Sequence, residues 1–195
     1  MMMPLPLPRR DIQYHSYWNL AFDADECNMI VNEYKNKEYQ DATVLGDNPD
    51  GHKRNNRVQW LDMENNVWIY ERFAQIAADL NHQFFGFDIR GLEENIQFSQ
   101  YSVGEHYAAW HEDRQHPGQN DFPARKLSLS LQLSDPMDYV GGDLEMWLGG
   151  ETSEKMPNTQ GTMISFDSRN MHRVTPVVEG TRYSLVSWVA GPPFR

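Results

Sequence analysis

The chain has 195 residues, one cysteine and a formal net charge of −11. That length suits one domain with a core buried without disulfides, and the single Cys27 excludes a disulfide framework and a cysteine-based zinc site, so a reducing cytosol fits. The acidic balance argues against a generic binder of nucleic-acid phosphates, and no apolar run approaches the roughly 18 residues of a membrane span.

The opening MMMPLPLPRR is too short and too broken by proline for a secretory leader. Helix signals come next. Asp23 followed by Glu26 resembles a capping box, with Asp replacing the usual Ser or Thr. Cys27, Ile30, Val31 and Tyr34 then share one helical face. Residues 40–57 are rich in Asp, Asn and Gly and read as loop, with HKRNNR as a solvated stretch within it. A longer helix is predicted after Asn65 or Asn66, because Ile69, Phe73, Ile76, Leu80 and Phe84 recur at three- and four-residue steps. That stripe reads as core.

After residue 94 the texture changes to short strand-like segments split by Gly, Pro, Asn and Asp: NIQFSQYSVG, HYAAWHEDR, RKLSLSLQLSD, GGDLEMWLGG, GTMISFDS and MHRVTPVVEGTRYSLVSWVAGP. Such punctuation predicts a sandwich or jelly roll. Leu127, Leu129, Leu131 and Leu133 alternate with Lys126, Ser128, Ser130 and Gln132, so one face is apolar and can pack on the long helix. The polar face meets either solvent or a wet interior, and periodicity leaves that choice open. The expected architecture is mainly β with N-terminal helices: residues 1–94 as helical support and residues 95–191 as the jelly-roll core of one domain.

The run WHEDRQH at 110–116 crowds metal-capable side chains. On a strand His111 and Asp113 point the same way. A second imidazole would complete the two-histidine, one-carboxylate set of non-haem Fe(II). His172 is the best candidate, and the 58 residues between Asp113 and His172 leave room for three strands that go out and return. An isolated H-x-D is more often a hydrogen-bonded surface pair. His106 and His116 compete as ligands, but His106 is out of phase with 111 and 113, and His116 precedes Pro117 and belongs to a loop. Further on, Glu179-Gly180 makes a turn and TRYSLVSWV reads as a strand that puts Arg182, Ser184, Val186 and Trp188 on one face. A guanidinium fork there can grip a carboxylate. A metal chelating one end of a diacid and an arginine holding the other fit a 2-oxo diacid, although a surface ion pair is the commoner fate of an arginine.

The order HED…H…R, preceded by QYSVGEHYAAW and accompanied by GGDL, GTMISF and MHRVTPVVEGTRYSLVSWVAGP, resembles the Fe(II)- and 2-oxoglutarate-dependent dioxygenases, and within them the prolyl 4-hydroxylase-like branch with its compact bacterial and phage forms. The resemblance spans roughly residues 95–191 and implies a double-stranded β-helix. It makes His111, Asp113 and His172 the iron ligands and pairs Arg182 with the distal carboxylate of 2-oxoglutarate. Tyr101 matches a tyrosine bound to that same carboxylate, Trp188 a tryptophan lining the pocket, and Ser130 and Gln132 border it. Two positions depart from the pattern. Three residues separate Tyr107 from His111 where two are usual, so either Tyr101 or Tyr107 can fill the tyrosine role. Val186 stands where a threonine is common, and Ser184 can supply the hydroxyl instead.

The resemblance implies C–H hydroxylation that consumes dioxygen and 2-oxoglutarate and releases succinate and carbon dioxide, with ascorbate as a family expectation. An aspartate at 113, where related halogenases carry a small residue, argues for hydroxylation. The branch favours a prolyl residue in a peptide or protein; a free amino acid or small metabolite is the alternative. Residues 47–60 would form a lid, with Arg54, Arg57 and Trp60 either on substrate or in solvent and core. A nucleic-acid demethylase would carry a second arginine where Trp188 stands. A non-catalytic jelly-roll binding module has no use for all four site residues, and a zinc or manganese cupin would carry an H-x-H cluster that is missing here. Oligomeric state is not legible.

Overall fold

A computed structural model describes residues 13–42, 53–114 and 124–193. The proline-rich opening, residues 47–52 of the expected lid and His116 lie outside the described residues. The first half of the chain gives β1 (His15–Trp18), α1 (Ala24–Tyr34), β2 (Gln40–Asp41), β3 (Arg57–Leu61) and α2 (Val67–Leu80), which runs into a single π-helical turn, Asn81–Phe85. The second gives β4 (Gly91–Leu92), β5 (Ile96–Tyr101), β6 (Tyr107–His111), β7 (Ala124–Gln132), β8 (Tyr139–Gly141), β9 (Leu144–Gly149), β10 (Thr152–Lys155), β11 (Met163–Asp167), β12 (His172–Val174), β13 (Val177–Gly180) and β14 (Arg182–Gly191).

The strands form a large sheet in the order β1-β11-β7-β14-β5-β3-β2, with β4 beside β14, a four-stranded sheet β10-β9-β12-β6, and a β13-β8 pair. Every pairing is antiparallel. The expected jelly roll backed by two helices is what forms. No helix among the described residues is long and apolar enough to cross a membrane.

Each helix follows from its local signals. Asp23 caps α1 by accepting from Glu26 N at 2.8 Å, and Glu26 Oε2 accepts from Asp23 N at 3.0 Å, a reciprocal box. Cys27, Ile30 and Tyr34 are buried on its inner face. In α2 the stripe Ile69, Phe73, Ile76 and Leu80 packs on the apolar face of the large sheet: Phe98 from β5, Leu127, Leu129 and Leu131 from β7, Leu185 and Val189 from β14. Each such side chain contributes about 1.5–3 kcal/mol by leaving water. Gly161 carries φ +77° and lets the turn before β11 touch α1's approach; a Cβ there would meet Phe22 O at 2.0 Å.

The structure departs from the sequence reading in several places. Residues 40–41 and 57 belong to strands rather than loop, and the supposedly helical first half lends β1, β2 and β3 to the large sheet. Five strands, not three, lie between Asp113 and His172 among the described residues. Glu179 and Gly180 end β13 and pair with β8 rather than forming a free turn. The open question about β7 is answered: Ser128 and Gln132 face inward, toward the metal-capable cluster and Arg182.

Candidate active site

Two strands of the small sheet place the triad. β6 ends at His111, β12 begins at His172, and these two residues are direct cross-strand partners. Asp113 follows two residues after His111, where its backbone N–H donates to Ser168 O at 2.8 Å. One ligand atom from each of His111, Asp113 and His172 lies within 4.8 Å of the others. His172 Nε2 lies 3.5 Å from Asp113 Oδ2. The imidazole rings of His111 and His172 stand 4.1 Å apart, tilted by 51°.

The surroundings fix which atoms face the centre. His111 Nδ1 donates to Ala109 O, and His172 Nδ1 to Asn170 O, both at 3.0 Å. A carbonyl only accepts, so each ring carries a proton on Nδ1 and leaves Nε2 to face the cluster, the nitrogen a metal would take. Burial pushes the His111 pKa down to about 3, with the neighbouring His172 adding to the shift, so the ring is neutral at pH 7. Burial alone would raise the Asp113 carboxyl, but the two imidazoles and the Ser128 hydroxyl, 2.6 Å from Oδ2, outweigh it and hold the group ionised. The Trp188 indole N–H favours the same charge without closing a hydrogen bond of ordinary geometry. Ser168 in turn donates to Ser128, at 3.1 Å. Two imidazole nitrogens and one carboxylate oxygen make a donor set suited to Fe(II).

Deeper in the barrel lies Arg182, 1 % exposed. Its Nη2 donates to Gln132 Oε1 at 2.9 Å and its Nη1 to Ser184 Oγ at 3.4 Å, while the buried Nε has no partner. No carboxylate pairs with it among the described residues. A buried cation left with neutral partners is costly and calls for an anion. Tyr101 sits directly across from Arg182 on β5, its ring 5.6 Å from the guanidinium, and burial raises its pKa so that the phenol keeps its proton to donate. Gly142 makes room for this arginine: its φ is +62°, and a Cβ there would stand 3.1 Å from Arg182 Cδ and 2.9 Å from Val177 Cγ2.

The triad, Arg182, Tyr101, Gln132, Ser184 and Trp188 thus gather in one interior. Of the two tyrosines left open, Tyr101 neighbours Arg182, whereas Tyr107 stacks on the His111 ring at 3.5 Å with planes 10° apart. His106 stays out of the cluster, its Nδ1 accepting from Ala108 N. Trp60 is 42 % exposed, not core, and faces Trp188 at 6.4 Å. Sequence reasoning missed Ser128, Ser168 and Arg125. Arg125 stacks on Trp188 at 3.9 Å, grips both oxygens of Glu94 and donates to Asp113 O at 3.3 Å. Nothing local marks these residues, whose roles arise only when β5, β7 and β14 pair.

The fold and site together define a jelly-roll protein with an iron-type facial triad. Residues 96–190 match the family described as the 2OG-Fe(II) oxygenase superfamily. A PKHD-type hydroxylase of Synechococcus sp. (strain JA-2-3B'a(2-13)) is 35 % identical over 99 residues, which cover 50 % of this chain and 43 % of that one. The chain thus spans less than half the length of that curated relative. The fold is shared with a Pseudomonas putida prolyl-4-hydroxylase (TM-score 0.72, 20 % identity, 92 % of this chain and 94 % of that one). It is also shared with a Trichoplax adhaerens prolyl hydroxylase solved with a hypoxia inducible factor peptide (TM-score 0.73, 17 % identity, 91 % and 83 %). Over residues 96–190 the chain matches the 2OG-Fe(II) oxygenase superfamily, and its likeness to the two prolyl hydroxylases is one of fold.

Proposed function

We propose that this chain is an Fe(II)- and 2-oxoglutarate-dependent hydroxylase acting on a prolyl residue of a peptide or protein. The observation that carries the reading is the pairing of His111 with His172 across one ladder, beside Asp113, in a barrel whose buried Arg182 lacks an anion. The names of the relatives support hydroxylation, and the peptide complex of one structural neighbour supports a peptide substrate.

In this reading the two halves work as one catalytic unit. His111, Asp113 and His172 hold the iron through two Nε2 atoms and one carboxylate oxygen. Bound together with dioxygen, iron and 2-oxoglutarate supply an oxidant that hydroxylates an unactivated C–H and leave succinate and carbon dioxide. The chain's own work is placement. Arg182, steadied by Gln132 and Ser184, receives the distal carboxylate of the cosubstrate, and Tyr101 adds a phenolic hydrogen bond. Ser128 keeps the Asp113 carboxylate aimed and ionised. Trp188, clamped by Arg125, walls the rim and excludes water.

Anaerobic addition of Fe(II) and then 2-oxoglutarate to the metal-free protein tests the class. A weak visible absorption should grow with the cosubstrate and be absent from His172→Ala; no such band in the parent protein sinks the reading. Succinate release, with and without ascorbate, should rise with proline-containing peptides over free amino acids. Stimulation by free amino acids alone replaces the prolyl substrate with a small one.

A further inference from the structure

In this acidic chain arginines find carboxylates. Arg57, Arg72, Arg114, Arg125, Arg169 and Arg173 each hold one. Among the described residues, the two half-buried or buried arginines that face the triad hold none. One is Arg182, whose anion the preceding reading supplies. The other is Arg54. Its Nε donates to Asn56 Oδ1 at 2.6 Å, and its guanidinium lies over the Tyr107 ring at 4.9 Å. Tyr107 is itself stacked on the ring of His111. Cation, phenol and imidazole therefore form one pile that ends at the metal cluster.

The position is built. The backbone of 53–55 runs along β6: Ala109 N donates to Lys53 O at 3.4 Å, and Asn55 N to His106 O at 3.1 Å. Asn55 Oδ1 also accepts from His106 N at 2.6 Å. Glu105, the acid beside His106, is committed to Arg57 and to the Ser102 N–H.

We infer that Arg54 is a substrate-binding residue that receives a carboxylate carried close to the hydroxylated carbon. The inference rests on the hydroxylase reading and narrows its substrate class. A carboxylate matches the planar guanidinium fork, and an anion gives Arg54 the charged partner that it does not find among the described residues. The carboxylate has two sources, an Asp or Glu side chain next to the target residue, or the free α-carboxylate of a substrate that ends there.

Two measurements decide it. In protein carrying 15N-arginine, zinc in place of iron and 2-oxoglutarate, the Arg54 Nε–H signal is assigned by its loss in Arg54→Lys. Titration with Nα-acetyl-aspartate amide should shift it saturably, and the asparagine counterpart should not. In the iron enzyme, hydroxylation is followed by mass for acetylated peptides containing Pro-Asp, Pro-Asn or Pro-Lys, and for peptides ending in a free proline carboxylate. The parent enzyme should favour a carboxylate, and Arg54→Ala should lower that preference over the matched amide by about tenfold. Arg54→Lys should restore part of it, which a purely structural role for the stack would not predict. A greater loss on internal Pro-Asp assigns the side chain, and a greater loss on terminal proline the α-carboxylate. An unmoved signal, an equal fall on acidic and neutral peptides, or a rise in KM for 2-oxoglutarate matching that of Arg182→Ala overturns the inference. A shifted signal with no peptide turned over leaves the carboxylate site standing and removes the prolyl reading alone.

Discussion

On the proposed reading, Arg182 is the residue on which cosubstrate choice turns. Its guanidinium is held by two neutral side chains, so its geometry is set before any anion arrives. Arg182→Lys keeps the charge but loses the planar fork, and KM for 2-oxoglutarate should rise about tenfold or more while the protein still folds; an unchanged KM would place the anion elsewhere. Ser128→Ala removes the 2.6 Å hydrogen bond to Asp113. Such supporting contacts are typically worth about 10- to 100-fold in metal affinity, readable by Fe(II) titration at fixed pH. These two residues also mark what the sequence could disclose. His111, Asp113, His172 and Arg182 are legible because each bears a distinctive chemistry at a distinctive spacing. Ser128 is one serine in an alternating strand, and its neighbour Ser130 bears the same local signature; only strand register tells which of them reaches the acid.

At the level of elements, the helices were readable and the small strands were not. The reciprocal cap at Asp23 and Glu26 is written in four consecutive residues and forms as written. Asp23→Ala should cost about 1 kcal/mol in denaturant unfolding. Glu26→Ala should cost more, because Glu26 also holds Arg72 across to α2 at 2.7 Å. β1, β3, β8 and β10 escaped notice because they run only three to five residues and owe their existence to partners far along the chain, as β1 does to β11. Periodicity over so short a window carries little information. Gly161→Ala tests one such long-range contact. The added methyl meets a backbone oxygen rather than a yielding side chain, at a φ that disfavours any L side chain, so the melting temperature should fall by several degrees.

For the whole molecule, the centre ties stability to pH. His111 has an ordinary value of 6.5 and is held near 3 in the fold, chiefly by burial. Between those limits the unfolded chain binds a proton that the folded chain refuses, so stability falls as pH drops below 6.5. The lowered Asp113 carboxyl adds a loss of the same sign at still lower pH. Metal-free protein unfolded in denaturant from pH 7 to 4 should therefore weaken steadily, and His111→Leu should flatten the upper part of that slope; parallel slopes would exclude the ring as the cause. Cys27, buried and raised to about 12, should resist thiol reagents until the protein unfolds. One consequence reaches past chemistry. His111 and His172 share a rung of the ladder between an edge strand and its inner neighbour, so an ion held by both acts as a cross-link between distant stretches of chain. Loading it should slow amide exchange along Tyr107–His111 more than anywhere in the large sheet, making the ion a rivet across a border that two paired positions secure.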